Sequence, residues 1–319
     1  MLALGIFTSF TCKSRFELIT TYETTFFQTP VTLNLAMENR DGLELAAGLA
    51  ITEIRRLEQL FNPVNGVGGL AQLNETRTSS TVELVQLLAR AQRVAEWTGG
   101  ALNIFMGYLE LVYGFYDLIP YPPDREELHE VMLSLHRASV ELMPQRSQAR
   151  LPDDAYNISL AGIQEGYTAD QALAYLSMSG VPNAQVQVGS QIACGGSPTG
   201  LGWPIDVLAP DSDDRVARLY VQYRGIATAS VRDQAYTYRN ITYYNHLDPS
   251  TGRPARRLSS VTVIAPSCEF AAALARGIFV MEPEEGLQLL NDLPQVDGLL
   301  LGADGQVRMS DSLFIWMGG

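Results

Sequence analysis

Lysine is nearly absent from the sequence: Lys13 is the only one among 319 residues. Lysine chemistry, including a phosphate-binding loop that uses a lysine, is therefore excluded beyond residue 13. The 22 basic residues are outnumbered by 35 acidic ones, which gives a formal net charge of −13. A surface that wraps a nucleic-acid backbone needs a positive footprint, so nucleic acid is not expected as a partner.

Cysteine and histidine are also scarce. The chain has three of each, namely Cys12, Cys194, Cys268, His129, His136 and His246. None of the spacings that are typical of a structural zinc site occurs among them.

Long apolar runs are missing as well: none approaches the ~20 residues that a membrane helix needs, so no membrane span is expected. The apolar stretch before Cys12 resembles a lipoprotein signal, but it has no basic residue, and Phe10 and Thr11 are bulkier than a processing site prefers. A cytoplasmic and a cell-envelope location both stay open.

What the chain does contain predicts a folded domain. Hydrophobic residues make up 46% and charged residues 18% of the sequence, against the ~25% charged residues that are usual. No repeat or flexible linker divides it. We expect an α+β protein with mixed or antiparallel sheets packed with helices, in one large domain with room for subdomains. The predicted limits are an N-terminal segment at 1–24, a domain at 25–312 and a tail at 313–319.

Periodicity places the elements. Val31, Leu33 and Leu35 alternate with polar or small residues, which predicts a strand. Apolar residues at intervals of three and four predict a helix over 43–61, and Ser80 with Glu83 has the spacing of a capping box. Further helices are expected over 124–137 and 168–179, after Ser267 and after Pro283, and further strands at 186–188, 219–223, 226–228, 261–265, 297–301 and 305–309.

Two glycine-rich segments are candidate nucleotide sites. Residues 66–71 fit the dinucleotide pattern GxGxxA, but the segment follows a helix instead of a strand, so it is interpreted as a plain loop. Residues 162–170 (GIQEGYTAD) combine two glycines with the start of a helix, where backbone amides can face a phosphate. An ordinary turn explains that segment equally well when it is considered alone.

Five segments in order carry a resemblance to a known family. TGGALN at 98–103 is similar to TGGAFD, residues 162–170 are similar to GGIAKGYAVD, and DPSTGRP at 248–254 is similar to DPRTGRP. The strand VTVIAP at 261–266 and the PEEG segment at 283–286 follow. The chain resembles the FAD:protein FMN transferase family, also called ApbE-like or thiamine biosynthesis lipoprotein proteins, from about residue 25 to 310.

The resemblance implies an ApbE-like fold, FAD as substrate or ligand, a magnesium ion at the pyrophosphate, and a target protein that presents a threonine or serine hydroxyl. It implies catalytic roles for Glu165 and His246, although Asn245 takes the histidine's place if the alignment has no gap. The implied flavin-binding residues are Thr29, Ala101, Leu102, Asn103, Gly162, Glu165, Gly166, Tyr167, His246, Asp248, Thr251 and Arg276.

Departures from the family pattern fall among the metal ligands. On the helix after VTVIAP the family carries an aspartate and, four residues later, a threonine, where this sequence has Ala272 and Arg276. Alanine cannot ligate magnesium, and an arginine is repelled by a divalent cation. Family aspartates appear here as Ser159 and Asn103, and a family tyrosine as Val64. No metal ligand is therefore assigned in this chain.

Two interpretations of Arg276 follow. In one, its guanidinium takes the place of the metal and grips the pyrophosphate. In the other, Arg276 forms an ion pair with Glu269, Glu282 or another acid after the site has decayed. The first leads to a divergent transferase, and the second suits a catalytically inactive flavin-binding or scaffold protein of the same fold. The resemblance favours an enzyme, and the lost ligands favour weak or absent activity.

Overall fold

The computed structural model describes residues 18–27, 29–37, 42–63, 69–152 and 156–318. Its helices are α1 (Leu43–Phe61), α2 (Gly69–Thr76), α3 (Val82–Trp97), α4 (Gly107–Val112), α5 (Arg125–Leu135), α6 (Ile163–Met178), α7 (Cys268–Val280) and α8 (Pro283–Asp292). Its strands are β1 (Leu18–Phe26), β2 (Thr29–Met37), β3 (Thr78–Ser79), β4 (Glu141–Met143), β5 (Gln148–Arg150), β6 (Ala184–Val188), β7 (Gln191–Cys194), β8 (Trp203–Leu208), β9 (Arg215–Val221), β10 (Arg224–Ser230), β11 (Tyr236–Tyr238), β12 (Ile241–Tyr243), β13 (Leu247–Asp248), β14 (Arg253–Pro254), β15 (Leu258–Ala265), β16 (Asp297–Gly302) and β17 (Val307–Met309).

A large antiparallel sheet forms the centre of the molecule. Over the described residues it has eight strands in the order β1-β2-β6-β7-β10-β15-β16-β17. Every neighbouring pair in it is antiparallel. The prediction of an α+β protein with antiparallel sheets packed with helices is confirmed, and the chain forms a single domain.

Helices cover one face of this sheet and a hairpin covers the other. The helix α7 packs across β10 and β15, and α6 packs between α1 and α7. Since both sides of α7 are covered, almost all of its residues are buried. On the opposite face, the β8–β9 hairpin buries a second apolar cluster that includes Trp203, Leu219, Val221, Ile226, Ile264 and Leu299.

Elements with strong periodicity were predicted correctly. The alternation at 31–35 lies in the middle of β2, where the side chains of Val31, Leu33 and Leu35 are buried. The helix over 43–61 is α1, with its apolar face in the core. Ser267 caps α7 as expected, since its Oγ accepts a hydrogen bond of 3.3 Å from the amide of Phe270.

Helix starts were predicted less well. The capping box at Ser80 is wrong, because the residue before α3 is Thr81 and its side chain makes no capping bond. Glu83 instead accepts hydrogen bonds from Arg56 and Tyr167. The helix expected from Thr168 begins at Ile163, whereas β1, α2 and α4 were not predicted.

Several predictions concern the chain ends and the first glycine-rich segment. Cys12, and residues 66–68 of the GxGxxA match, lie outside the described residues, while Gly69 begins α2. The domain limits at 25 and 312 stay a prediction. In the described residues the first strand begins at Leu18, before the predicted start, and the Leu313 side chain, after the predicted end, is buried. In the part of the chain that the structure describes, no helix is both long and apolar enough to cross a membrane.

Asp170 ties the two central helices together and leads to a first prediction. Its carboxylate oxygens accept hydrogen bonds of 2.9 Å each from the amides of Cys268 and Glu269 at the start of α7. Burial raises the pKa of Asp170 to about 7, above its ordinary value of 3.8. The folded state therefore binds a proton that the unfolded state releases between these values, so this contribution to stability is full at acid pH and falls as the pH rises toward 7.

We expect Asp170→Asn to destabilise the protein by about 1–3 kcal/mol, because an amide offers one acceptor oxygen to two amides. The loss should be larger at pH 4 than at pH 8, since the variant lacks the titration that weakens the wild type between about 4 and 7. Urea unfolding at pH 4 and at pH 8 measures the loss of stability. Asp206→Asn is the control. Because Arg218 lowers the pKa of Asp206, the loss of stability caused by Asp206→Asn should change with pH in the opposite sense. A loss that does not vary with pH would refute the assignment.

Candidate functional site

A cleft opens where the N-terminal turn of α6 and the middle of α7 meet the edges of several strands and loops. Its inner part, the main cavity, has a volume of ≈ 170 Å³. It is lined by Thr29, Ala161, Gly162, Glu165, Gly189, Ser190, Gln191, Thr228, Ala229, Asp233, Gln234, Asn245, His246, Ala272, Ala275 and Arg276.

Two further cavities share lining residues with the main one. The outer cavity, of ≈ 640 Å³, shares Thr29, Ala161, Glu165 and Gln234, and extends toward Phe115 to Leu118. The small cavity, of ≈ 20 Å³, shares Asn245, His246 and Arg276 with the main cavity. Small-molecule sites commonly occupy about 300–1,000 Å³, so the outer cavity alone has room for a ligand of nucleotide size.

Arg276 lies between the main and small cavities. Its Nη2 donates a hydrogen bond of 3.2 Å to the backbone oxygen of Asn245, and the side chain is 19% exposed. The stem packs on Gly162, where a Cβ would lie 2.7 Å from the Arg276 Cδ. Gly162 also has φ of 80°, a conformation that favours glycine. The glycine before α6 therefore makes room for the arginine of α7.

The acidic partner of Arg276 is Glu110, on α4. The Arg276 Nη2 and Glu110 Oε1 atoms are 3.6 Å apart, and the Glu110 side chain is 1% exposed. The other carboxylate oxygen accepts hydrogen bonds from the hydroxyls of Tyr116 at 2.6 Å and Ser159 at 2.8 Å. Burial, and secondarily the charge of Glu110, raise the pKa of Tyr116 well above its ordinary value.

The two acids that the sequence suggested as partners of Arg276 are engaged elsewhere. Glu269 pairs with Arg90, with an N–O distance of 2.7 Å, and Glu282 pairs with Arg257 at 2.8 Å. Those two predicted pairings are wrong, because α7 turns Glu269 toward α3 and Glu282 lies beyond the end of the helix.

His246 forms a second polar contact in the wall of the main cavity. Its Nε2 lies 3.0 Å from Asp233 Oδ2, and its Nδ1 is buried and, within the described residues, has no hydrogen-bond partner. The ring packs on Phe279, with a centroid distance of 4.4 Å. Burial lowers the pKa of His246, the hydrogen bond that its ring makes to Asp233 opposes that shift, and the charge of Arg276 adds to it.

Glu165 lies in the first turn of α6 and lines both the main and the outer cavity. Its Oε2 atom is buried and has no hydrogen-bond partner among the described residues. Burial raises the pKa of Glu165, and the nearby charge of Arg276 partly offsets the rise. A carboxyl group of this kind can take up or release a proton closer to neutral pH than an exposed one.

The structure brings eight of the predicted flavin-binding residues to the three cavities. Thr29, Gly162, Glu165, His246 and Arg276 line the main cavity. Ala101, Leu102 and Asn103 line the small cavity with His246 and Arg276, and the Asn103 Oδ1 accepts a hydrogen bond of 2.8 Å from the amide of Phe105. Both residues that the alignment left open, Asn245 and His246, line the main cavity.

The other four predicted residues do not line these cavities. Gly166 lies against α7, where a Cβ would be 2.6 Å from the backbone oxygen of Cys268. Tyr167 packs on Phe61 and donates a hydrogen bond of 2.7 Å to Glu83. Asp248 accepts two hydrogen bonds from Ser250 within the turn, and the Thr251 hydroxyl accepts one from the amide of Arg253.

Sequence reasoning missed two charged residues of the site. Glu110 was detectable as a single acid in the apolar segment GYLELV, since a buried charge without a partner is unfavourable. Asp233 follows β10 in a polar loop and carries no signal of its own. Only the approach of that loop to residue 246 shows its role.

The donors at this site do not suit magnesium. On α7, the wall of the main cavity is formed by the methyl group of Ala272 and the guanidinium of Arg276, neither of which can ligate a cation. Magnesium needs several oxygen ligands in a nearly octahedral arrangement, and a fixed cation beside it is repulsive. Within the described ranges, no group of three or more histidine, cysteine, aspartate or glutamate residues is arranged to hold a metal ion.

Fold and cleft together define a class: a single-domain α+β protein in which a cavity lined by a guanidinium, an imidazole and carboxyl groups adjoins a second cavity with room for a nucleotide. The chain belongs to the ApbE family, whose sequence profile matches residues 20–300.

The similar proteins agree with this assignment. The chain is 27% identical over 294 residues to the FAD:protein FMN transferase of Treponema pallidum, covering 85% of this chain and 81% of that protein. It is 28% identical over 268 residues to the protein of the same name from Vibrio cholerae, covering 76% and 77%.

Solved structures show the same fold. The ApbE protein of Thermotoga maritima superposes with a TM-score of 0.85 at 24% identity, covering 94% of this chain and 100% of that one. The flavin transferase ApbE of Vibrio cholerae superposes with a TM-score of 0.81 at 22% identity, covering 93% and 99%.

Proposed function

We propose that this chain is a divergent FAD:protein FMN transferase, which moves FMN from FAD onto a threonine or serine hydroxyl of a target protein. Membership of the ApbE family over most of the chain supports the reaction class. The observation that carries the proposal is the convergence of Arg276 and His246 on the wall of the main cavity, which adjoins an outer cavity with room for a nucleotide.

In this proposal Arg276 holds the pyrophosphate in place of a metal ion. The structure shows one hydrogen bond from its guanidinium, through Nη2, and none from Nε or Nη1 to any described residue. Two donors of a planar guanidinium can grip a phosphate bidentately. A fixed cation also offsets the charge that builds on AMP as it leaves, which is the usual task of the cationic groups in phosphoryl transfer.

Other predicted residues that line the cavities then act around that anchor. The backbone at Gly162, at the start of α6, lies on the same cavity wall and suits a phosphate because helix N-termini favour negative charge. Glu165 and His246 are the proton-transferring groups within the main cavity. Ala101, Leu102 and Asn103 support the far side of Arg276.

One observation favours a second function, that of a flavin-binding pseudoenzyme. The Glu110 carboxylate, 3.6 Å from Arg276, offsets the charge that a phosphate would otherwise meet. If that ion pair stays intact when FAD binds, the cleft has no free cation, and loss of a charge-stabilising donor commonly lowers a rate by ~10² or more. The fold would then present a bound flavin, or only a surface, to a partner protein.

A flavin-transfer assay separates the two functions. The protein is incubated with FAD, with and without magnesium, together with a domain that carries the acceptor threonine motif of the family, and covalent flavin fluorescence is followed on a denaturing gel. We expect fluorescence on the acceptor in both conditions, because the cation at the pyrophosphate is part of the chain.

Each other result has a distinct meaning. Labelling only with magnesium contradicts the loss of the metal ligands. No labelling, with saturable quenching of FAD fluorescence, supports the pseudoenzyme. Release of free FMN and AMP without labelling identifies hydrolysis in place of transfer.

A further inference from the structure

Asp233 and His246 form a pair whose hydrogen bonds leave one ring nitrogen unused. The pair joins the loop after β10 to the residue before β13, with 3.0 Å between Nε2 and Oδ2. The imidazole is buried, since its side chain is 2% exposed, whereas the Asp233 side chain is 30% exposed. Within the described residues, Nδ1 has no hydrogen-bond partner.

The position of Asp233 is held independently of the histidine. Its Oδ2 also accepts a hydrogen bond of 2.8 Å from the amide of Ser230, and its backbone oxygen accepts one of 3.3 Å from the amide of Asn245. An ionised carboxylate can only accept hydrogen bonds. Its contact with Nε2 therefore requires the proton of a neutral imidazole to lie on Nε2.

We propose that Asp233 is a positioning residue that fixes the tautomer of His246, with the proton on Nε2 and the lone pair on Nδ1, so that Nδ1 is the proton acceptor of the site. The part of this proposal that concerns catalysis rests on the proposed function, whereas the tautomer itself does not. In other enzymes a carboxylate that accepts a hydrogen bond from a catalytic histidine holds the ring in one tautomer and orientation in the same way.

The reaction step balances with this assignment. The acceptor hydroxyl gives its proton to Nδ1 as its oxygen forms a bond to the phosphorus of the FMN half of FAD. The bond from that phosphorus to the bridging oxygen breaks, and the bridging oxygen leaves with its electron pair as part of AMP. The proton on His246 then passes to solvent, so FAD and the hydroxyl yield a phosphodiester of FMN, AMP and one proton.

The charges around the imidazole agree with a neutral acceptor. Three charged groups from three elements act on His246: Asp233 from the loop after β10, Arg276 from α7 and Glu110 from α4. Arg276 disfavours an imidazolium, and Asp233 and Glu110 favour it. Burial is the largest influence and lowers the pKa of His246, so the ring is neutral at neutral pH and one ring nitrogen keeps its lone pair.

The test replaces Asp233 by alanine, which removes the single oxygen, Oδ2, that contacts both the Ser230 amide and Nε2. Without that acceptor the preference for a proton on Nε2 is lost. We expect the His246 signal in NMR spectra of isotope-labelled histidine to show the Nε2–H form in the wild type and a mixture of the Nε2–H and Nδ1–H forms in Asp233→Ala. The spectrum is tractable because the chain has three histidines, and the other two, His129 and His136, are exposed.

Activity measurements complete the test. For Asp233→Ala we expect kcat of flavin transfer to fall by ~10² or more with the KM for FAD unchanged, because general-base catalysis typically contributes ~10²–10⁴. Asp233→Glu should keep part of the rate, since it keeps a carboxylate. Asp206→Ala is the matched control, because it removes a carboxylate that pairs with Arg218 on the surface.

The failures are distinguishable. An Asp233→Ala spectrum that keeps only the Nε2–H form overturns the proposal, whether or not the wild type transfers flavin. An unchanged kcat, or a lost rate that comes entirely from a higher KM for FAD, overturns the positioning role. If Asp233→Ala does not fold, a wild-type or Asp233→Glu spectrum with the proton on Nδ1 overturns the tautomer assignment. A wild type that labels no acceptor counts against the proposed function and leaves the spectral test decisive for the tautomer.

Discussion

Gly225→Ala should destabilise the protein by more than about 3 kcal/mol, at or beyond the upper end of the usual effect of overpacking. A Cβ at residue 225 would lie 2.0 Å from the backbone nitrogen of Cys268, 2.2 Å from its Cα and 2.3 Å from the carbonyl carbon of Ser267. All three neighbours are backbone atoms or Cα, so no rotamer change relieves the contact. Gly225 lies in β10, which pairs with β7 and β15 within the sheet.

The same substitution should also disturb the cleft, because the first turn of α7 must move away and Arg276 lies on that helix. Urea unfolding followed by circular dichroism measures the loss of stability. Gly48→Ala is the matched control: Gly48 lies in α1 with nothing within 4 Å of its Cβ position, and alanine there should stabilise by about 0.5–1 kcal/mol. A Gly225→Ala protein as stable as the wild type would show that α7 does not approach β10 this closely.

Arg276→Ala should weaken FAD binding by roughly tenfold to a hundredfold. Hydrogen bonds to charged groups contribute about 1.5–3 kcal/mol, and each 1.4 kcal/mol is a factor of about ten in affinity. The variant also leaves Glu110 buried without its cationic neighbour, which adds a negative potential where the pyrophosphate is expected. Titration of FAD fluorescence in the presence and absence of EDTA measures the affinity, and EDTA should have no effect on the wild type.

Two variants control this experiment. Arg218→Ala removes the same charge from the exposed pair with Asp206 and should bind FAD like the wild type. Arg276→Lys keeps the charge without the planar pair of donors, so an intermediate affinity is expected. Equal FAD affinity of wild type and Arg276→Ala would show that the arginine does not bind the phosphates. A wild-type affinity that falls sharply in EDTA would show that a metal ion takes part in FAD binding.

Prediction succeeded where the physical signal is local. The strand β2 and the helix α1 bury every second residue and every third or fourth residue respectively, and that spacing is visible without knowledge of the partner surface. Short elements such as α4 were not predicted, because six residues span less than two helical turns and show no period. The capping box at Ser80 failed because Glu83 forms bonds with Arg56 and Tyr167, on α1 and α6, in place of the helix start.

The candidate site divides in the same way. Its glycine-rich turn and the substitutions at 272 and 276 are properties of short segments, so they were recognisable from the residues alone. The distinction between cleft-lining and packing residues was not: Gly162 and Gly166 belong to one motif, yet the first faces Arg276 and the second packs on the backbone of Cys268. A motif shows which residues occur together and not which surface each one meets.

Composition and order along the chain establish the class of fold, the family, the near absence of lysine and the presence of Ala272 and Arg276, because each depends on which residue stands at which place. The pairing of Arg276 with Glu110 and of His246 with Asp233 depends on the tertiary structure. These residues are brought from α4, α7 and two loops, and the distances between them exist only once the sheet and its covering helices have packed.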